Sequence, residues 1–110
     1  MKAYYVKQGD EFSIPLTISA DGTALDNTTA ELVEVMIGHE IRKTWPGDIT
    51  WDGDDGNWLV PLTQAETFAM VPGTEIPLDV RVKLTAGEVL GTIEAIRLRI
   101  VAAQSKTVLS

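Results

Sequence analysis

Eleven residues, Trp58 to Phe68 (WLVPLTQAETF), contain a strand, its end and a helix start, and they limit what the rest of the chain can build around them. Trp58, Val60 and Leu62 alternate with Leu59, Pro61 and Thr63, and this period of two puts one set of side chains on one face of a strand. Thr63-x-x-Glu66 then reads as a capping box: the Thr63 hydroxyl accepts from the Glu66 N–H, and the Glu66 carboxylate reaches back to the Thr63 N–H. Leu62 and Thr67 make no strong hydrophobic staple around that cap. The predicted helix is therefore short, Gln64 to Met70, closed by Val71-Pro72-Gly73. Such a helix is a corner of a β protein and not a layer.

The remaining strands follow from the same alternation. Ala3 to Lys7 is a first strand, with Tyr4 and Val6 on one side and Tyr5 on the other, ended by Gln8-Gly9-Asp10. Phe12, Ile14, Leu16 and Ile18 form the apolar side of a second strand. Pro15 lacks the N–H that a central ladder uses, which predicts an edge position. In Ala30 to Ile37, Val33, Val35 and Ile37 share a face while Leu32 falls opposite, so a bulge or two-sided burial is expected. Gly38-His39 reverses the chain into Glu40 to Trp45, with Ile41 and Trp45 on one side and Arg42 and Thr44 on the other. Ile49 and Trp51 lie on a short strand, and Asp52-Gly-Asp-Asp-Gly-Asn57 is a hairpin turn into the Trp58 strand.

After the helix, Ile76, Leu78, Val80, Val82 and Leu84 alternate without fault, the pattern of a core strand with one wet face. Val89 to Thr92 returns, Ile93-Glu94-Ala95 shifts the phase as a bulge does, and Ile96, Leu98 and Ile100 line a last strand. Gln104 to Ser110 is an edge strand or an arm. About eight short strands and one helical turn predict an all-β, antiparallel, immunoglobulin-like β-sandwich, one domain over residues 1–110. A barrel of the same strands stays open as an alternative.

At 110 residues the chain buries roughly two-thirds of its unfolded surface around one core. It has no cysteine, so packing and not disulfides or thiolate metal sites must hold it. A formal charge of −7 repels phosphate backbones, which argues against nucleic acid and anionic membranes as partners. The start lacks the apolar run of a signal peptide, and no long apolar window occurs, so the expected location is the cytoplasm or a particle assembled there.

Few residues offer a chemistry. Asp48, Asp52, Asp54 and Asp55 are calcium candidates by their oxygen ligands, but position five after Asp52 is Gly56 and position twelve is Thr63, where a calcium loop needs a carboxylate. Turn chemistry alone accounts for them. Trp45, Trp51 and Trp58 lie on neighbouring strands and form either an aromatic platform for a sugar or partner, or part of the core. The core reading is preferred, because the chain has only two Phe and two Tyr besides. His39, the single histidine, sits in a solvated turn with no triad partners. Arg81, Lys83, Arg97 and Arg99 line the outer face of the last sheet, with Asp79 and Glu94 as expected partners. No cofactor is implied and no spacing singles out a carboxylate pair, so the chain is read as a non-enzyme.

Five segments together resemble small phage and prophage proteins of Gram-positive bacteria, related to the β-sandwich domains of baseplate and tail proteins. They are Lys7-Gln-Gly-Asp-Glu-Phe12, Ile41-Arg-Lys-Thr-Trp-Pro46, Trp58 to Thr67, Leu78-Asp-Val-Arg-Val-Lys83 and Ser105-Lys-Thr-Val-Leu109. Leu-Thr-Gln-x-Glu-Thr is the most specific of these. The resemblance implies a virion-associated structural module of the tail or baseplate region, made in the bacterial cytoplasm and then carried in the particle. Its partners would be other phage structural proteins or further copies of itself. Val108 and Leu109, apolar near a terminus, are the candidate contacts of an exchanged arm. The competing expectation is a small carbohydrate- or calcium-binding module built on the tryptophans and the aspartate turn.

Overall fold

A computed structural model describes residues 2–20, 23–91 and 96–104. The expected bulge at 93–95 and the arm residues Val108 and Leu109 lie outside them. The strands are β1 (Lys2–Lys7), β2 (Phe12–Leu16), β3 (Ser19–Ala20), β4 (Thr23–Ala24), β5 (Ala30–Ile37), β6 (Ile41–Trp45), β7 (Thr50–Asp52), β8 (Asn57–Leu62), β9 (Glu75–Leu84), β10 (Val89–Gly91) and β11 (Ile96–Val101), with one helix, α1 (Gln64–Phe68).

Two sheets form the sandwich. The larger runs β1-β11-β9-β5-β6, with β10 paired to β9; the smaller runs β2-β8-β7, and β3–β4 is a separate hairpin. The four-strand array β6-β5-β9-β11, with β9 and β11 adjacent and antiparallel, packed on the three-strand partner β2-β8-β7, is the immunoglobulin-like arrangement. In that scheme β2, β8 and β7 correspond to strands B, E and D, and β6, β5, β9 and β11 to C′, C, F and G. The fold is therefore an immunoglobulin-like β-sandwich. It departs from a purely antiparallel one at β1, which pairs in parallel with β11, Tyr5 opposite Arg99 and Lys7 opposite Val101. That pairing joins the two ends of the sequence, which no local pattern encodes.

The core lies between the sheets and takes its members in alternation from each strand: Ile14 and Leu16 from β2, Val33 and Val35 from β5, Val60 and Leu62 from β8, Val80 from β9 and Leu98 from β11 are all buried. Each such side chain contributes about 2 kcal/mol before ordering entropy is subtracted. Pro15 does sit on an edge strand, since β2 ends the smaller sheet. The pairing of β5 with β9 shifts between Ala30 and Leu32, a bulge that buries both Ala30 and Val33 and leaves Leu32 outside.

Two boundaries differ from expectation. The second strand breaks after Leu16, where the chain turns into the β3–β4 hairpin, although Ile18 still reaches the core. The helix ends at Phe68 with Ala69 as its C-cap, two residues short of Met70, which turns into the core as a buried side chain. Its start is the predicted capping box: Glu66 N donates to Thr63 Oγ1 at 3.1 Å and Thr63 N to Glu66 Oε1 at 2.9 Å.

Candidate functional site

The three tryptophans do meet. Trp58 on β8 is fully buried and donates its indole N–H to the Leu25 carbonyl at 3.2 Å. Trp45, on the edge strand of the other sheet, packs edge-on against it at 4.9 Å, and Trp51 on β7 lies tilted at 4.7 Å. Trp45 and Trp51 are half-buried and packed against the core. The interplanar angles of 73° and 53° make a cluster that closes one side of the sandwich, with no three-ring flat face.

The aspartates beside this cluster carry turn roles. Asp52 pairs with Asn57 across the β7–β8 hairpin, its Oδ1 accepts from Asp54 N at 3.1 Å, and its carbonyl accepts from Gly56 N at 2.9 Å. Gly56 has φ +69°, the conformation such a turn asks of glycine. Asp48 accepts from Thr44 N at 3.2 Å, and Asp54 and Asp55 are exposed. Among the described residues, no group of three or more His, Cys, Asp and Glu side chains converges to hold a metal ion.

A second cluster escapes a reading by periodicity, because its members are far apart in sequence. Gln8, Gly9 and Asp10, the turn after β1, dock on α1. Gly9 N donates to Thr67 Oγ1 at 2.9 Å, and the Thr67 hydroxyl reaches the Asp10 carbonyl at 2.9 Å and Gln64 O at 3.1 Å. Gln8 Nε2 donates to Met70 O at 2.8 Å, and Gln8 N to Val101 O at 2.9 Å. Gln8 and Thr67 are both buried polar residues, and this is what their burial satisfies.

Lys43 is also unforeseen. It shares the inward phase of Ile41 and Trp45 on β6, and its side chain, 13% exposed, places Nζ 3.0 Å from both Glu66 carboxylate oxygens. Burial pushes the Glu66 carboxyl up, but the Thr63 N–H and then Lys43 outweigh it and hold the group below its ordinary value. An inward-pointing charge on an edge strand also discourages pairing with another chain along that edge. Near this pair, a cleft of about 380 Å³ opens at one end of the sandwich between the β5–β6 turn and the chain after α1, lined by Ile41, Met70, Val71 and Ile76 with His39 at its rim. His39 is exposed, as its turn predicts.

The outer face of the larger sheet holds most of the positive charge. Lys7, Arg42, Arg81, Lys83, Arg97 and Arg99 occupy the strand positions that alternate with buried ones. Glutamates take the place expected of Asp79: Arg42 pairs with Glu34 at 2.7 Å, Arg99 with Glu75 at 2.7 Å and Lys83 with Glu31 at 3.5 Å. Asp79 makes no ion pair among the described residues, and Glu94 lies outside them. The reason is register: β5 and the start of β9 bring glutamates beside these cations, whereas Asp79 stands opposite Met36. Arg99 also lies over the Tyr5 ring at 5.8 Å and donates to its hydroxyl at 3.3 Å. Its guanidinium is held above its ordinary value by that hydrogen bond first and by Glu75 second.

Four of the five large apolar side chains exposed among the described residues lie on this face; the fifth, Val71, borders the cleft after α1. Leu32 is 49% exposed and Val89 55%, and they flank a depression of about 230 Å³ bordered by Glu34, Arg42, Arg81 and Lys83. Tyr5 and Val101 are exposed towards its other edge. Tyrosine and arginine are among the residues enriched where proteins contact one another.

No protein-family model and no curated protein matches the chain. Among solved structures, the first immunoglobulin-like domain of human CD48 antigen is similar, with a TM-score of 0.47 and 13% identity over 100% of this chain and 89% of that one. The immunoglobulin-like character stated above rests on the strand order of this chain itself.

Proposed function

We propose that this chain is a non-enzymatic structural or assembly protein of a phage or prophage particle, in its tail or baseplate region, acting through protein–protein contacts. The observation that carries the contact role is the outer sheet face, where Tyr5, Leu32, Val89 and Val101 are exposed among arginines. The phage assignment is supported by the resemblance of its segments to small phage proteins. The test is mass spectrometry of purified particles after prophage induction in the source strain. Copy number in fixed ratio to tail proteins is the expected result. Absence from intact, well-covered particles overturns the reading.

The one other reading is the small carbohydrate- or calcium-binding module; its support is the half-buried Trp45 and Trp51 at one side of the sandwich, and no acidic cluster among the described residues adds to it. Tryptophan emission titrated with calcium and with cell-wall oligosaccharides separates the two. A saturable change supports the binding module, and a flat response supports the structural part.

A further inference from the structure

The charge of this chain is segregated, and that names a partner for the sheet face. Of the seven cations whose side chains are described, six (Lys7, Arg42, Arg81, Lys83, Arg97 and Arg99) lie on the outer face of the larger sheet, and the seventh, Lys43, points inward. Of the sixteen acids in the sequence, Glu31, Glu34, Glu75 and Asp79 share that face and Asp21 and Glu94 lie outside the described residues. Ten acids are therefore spread over the remaining surface with no described cation but Lys43. The face is net positive on a chain whose formal charge is −7. Arg81 and Arg97 make no ion pair among the described residues, and Arg81 is exposed on this face.

We infer that the outer face of the β1-β11-β9-β5-β6 sheet binds the acidic remainder of a second copy of this chain, in a head-to-tail contact. Two such faces opposed to each other bring like charges together, which costs free energy. A face set on the acidic side of a neighbour pairs opposite charges and leaves that neighbour's own face open. The exposed Leu32 and Val89, on either side of Lys83, supply an apolar patch at one end of the face, bordered by Arg42 and Arg81. Because the two surfaces differ, the contact is heterologous and propagates into a ring or a row. Five strands about 4.8 Å apart and about six residues long present on the order of 500 Å². A standard interface takes roughly 800 Å² from each partner, so a single contact is weak and gains strength from closure or from neighbours in an assembly. The inference rests on the assembly role proposed above and specifies its partner.

The test is sedimentation velocity of the full chain from about 10 to about 500 µM, at about 50 mM and about 500 mM salt, where screening changes several-fold. The expected result is a sedimentation coefficient that rises with concentration at low salt and returns to the monomer value at high salt. Arg81→Glu with Arg97→Glu, both exposed or half-exposed and outside the ion pairs, is expected to lower the association constant at least tenfold with unchanged circular dichroism. Carbodiimide cross-linking of mixed isotope-labelled and unlabelled protein locates the contact, with links expected from Lys7 or Lys83 of one copy to carboxylates away from the face of the other. A monomer at every concentration, association indifferent to salt and charge reversal, or links confined to two opposed faces each overturns it. A monomer that is nevertheless present in particles in fixed ratio overturns this inference and leaves the proposed function standing. Self-association of a chain absent from particles does the reverse.

Discussion

Gly9 donates its backbone N–H to Thr67 Oγ1 at 2.9 Å across 58 residues of sequence, and the same hydroxyl reaches the Asp10 carbonyl. One side chain thus fastens the turn after β1 to the helix between β8 and β9, linking the two sheets at one corner. Thr67→Val keeps the shape and removes both bonds, leaving a part-buried N–H without its acceptor. The expected loss is about 1–3 kcal/mol by urea denaturation, against about 1 kcal/mol for Thr67→Ser, which keeps the hydroxyl and loses a methyl. A valine variant as stable as the serine one would remove the hydroxyl from this account.

The other side of that contact is Gly9 itself. Its φ is +84°, and a Cβ there would stand 2.7 Å from Phe68 Cζ. Gly9→Ala combines an unfavourable backbone conformation with a clash, and a loss above about 1 kcal/mol is expected. Adding Phe68→Leu relieves the clash and not the backbone. The double-mutant cycle is therefore expected to show favourable coupling between the two changes while the alanine chain stays less stable than its glycine counterpart.

Acid is expected to loosen the fold through Glu66 and Asp26. The Asp26 carboxylate accepts from the Thr28 hydroxyl at 2.6 Å and from the Thr28 and Thr29 N–H groups, which hold it below its ordinary value of 3.8. Glu66 is held below 4.5 because the Thr63 N–H and Lys43 outweigh its burial. A carboxyl depressed by folding stabilises the native state above its unfolded pKa, and that contribution disappears as pH falls through the folded value. Urea midpoints measured from about pH 6 to about pH 2 are expected to fall below pH 4.5 for the native chain, with a shallower decline in Glu66→Gln and Asp26→Asn. Equal slopes in all three chains would rule these two groups out as its source.

Trp58 is the largest fully buried side chain and the centre of the aromatic cluster. Trp58→Phe leaves a cavity and the Leu25 carbonyl without its indole donor, an expected loss of about 2 kcal/mol or more. Trp51→Phe, at a half-buried position, is expected to cost less than about 1 kcal/mol by the same thermal or urea measurement. Equal costs would mean that the cluster has no buried centre.

Much of the sandwich was legible because alternation is a local property. Ile14 and Leu16, Val60 and Leu62, and Val80 and Val82 all point where a period of two puts them. The capping box of Thr63 and Glu66 and the Asp52–Asn57 hairpin were legible for the same reason, since their partners lie within a few residues. In the sequence Thr67 shows only as a poor staple residue, because its partners Gly9 and Asp10 lie on another turn. Lys43 was missed although its phase matches Ile41 and Trp45. A charge in an inward position makes sense only once Glu66 is seen facing it.

By itself the sequence determined the long strands, which face of each is apolar and how the helix starts, because φ/ψ preference, side-chain alternation and capping act over a few bonds. Tertiary structure alone decided that β1 lies parallel to β11, that Lys43 meets Glu66, and that Trp45 of one sheet covers Trp58 of the other. It also gathered six cations from β1, β6, β9 and β11 onto one face of an acidic chain. Those relationships are set by which strands become neighbours, and that choice is made by burying all the apolar faces at once in a single core.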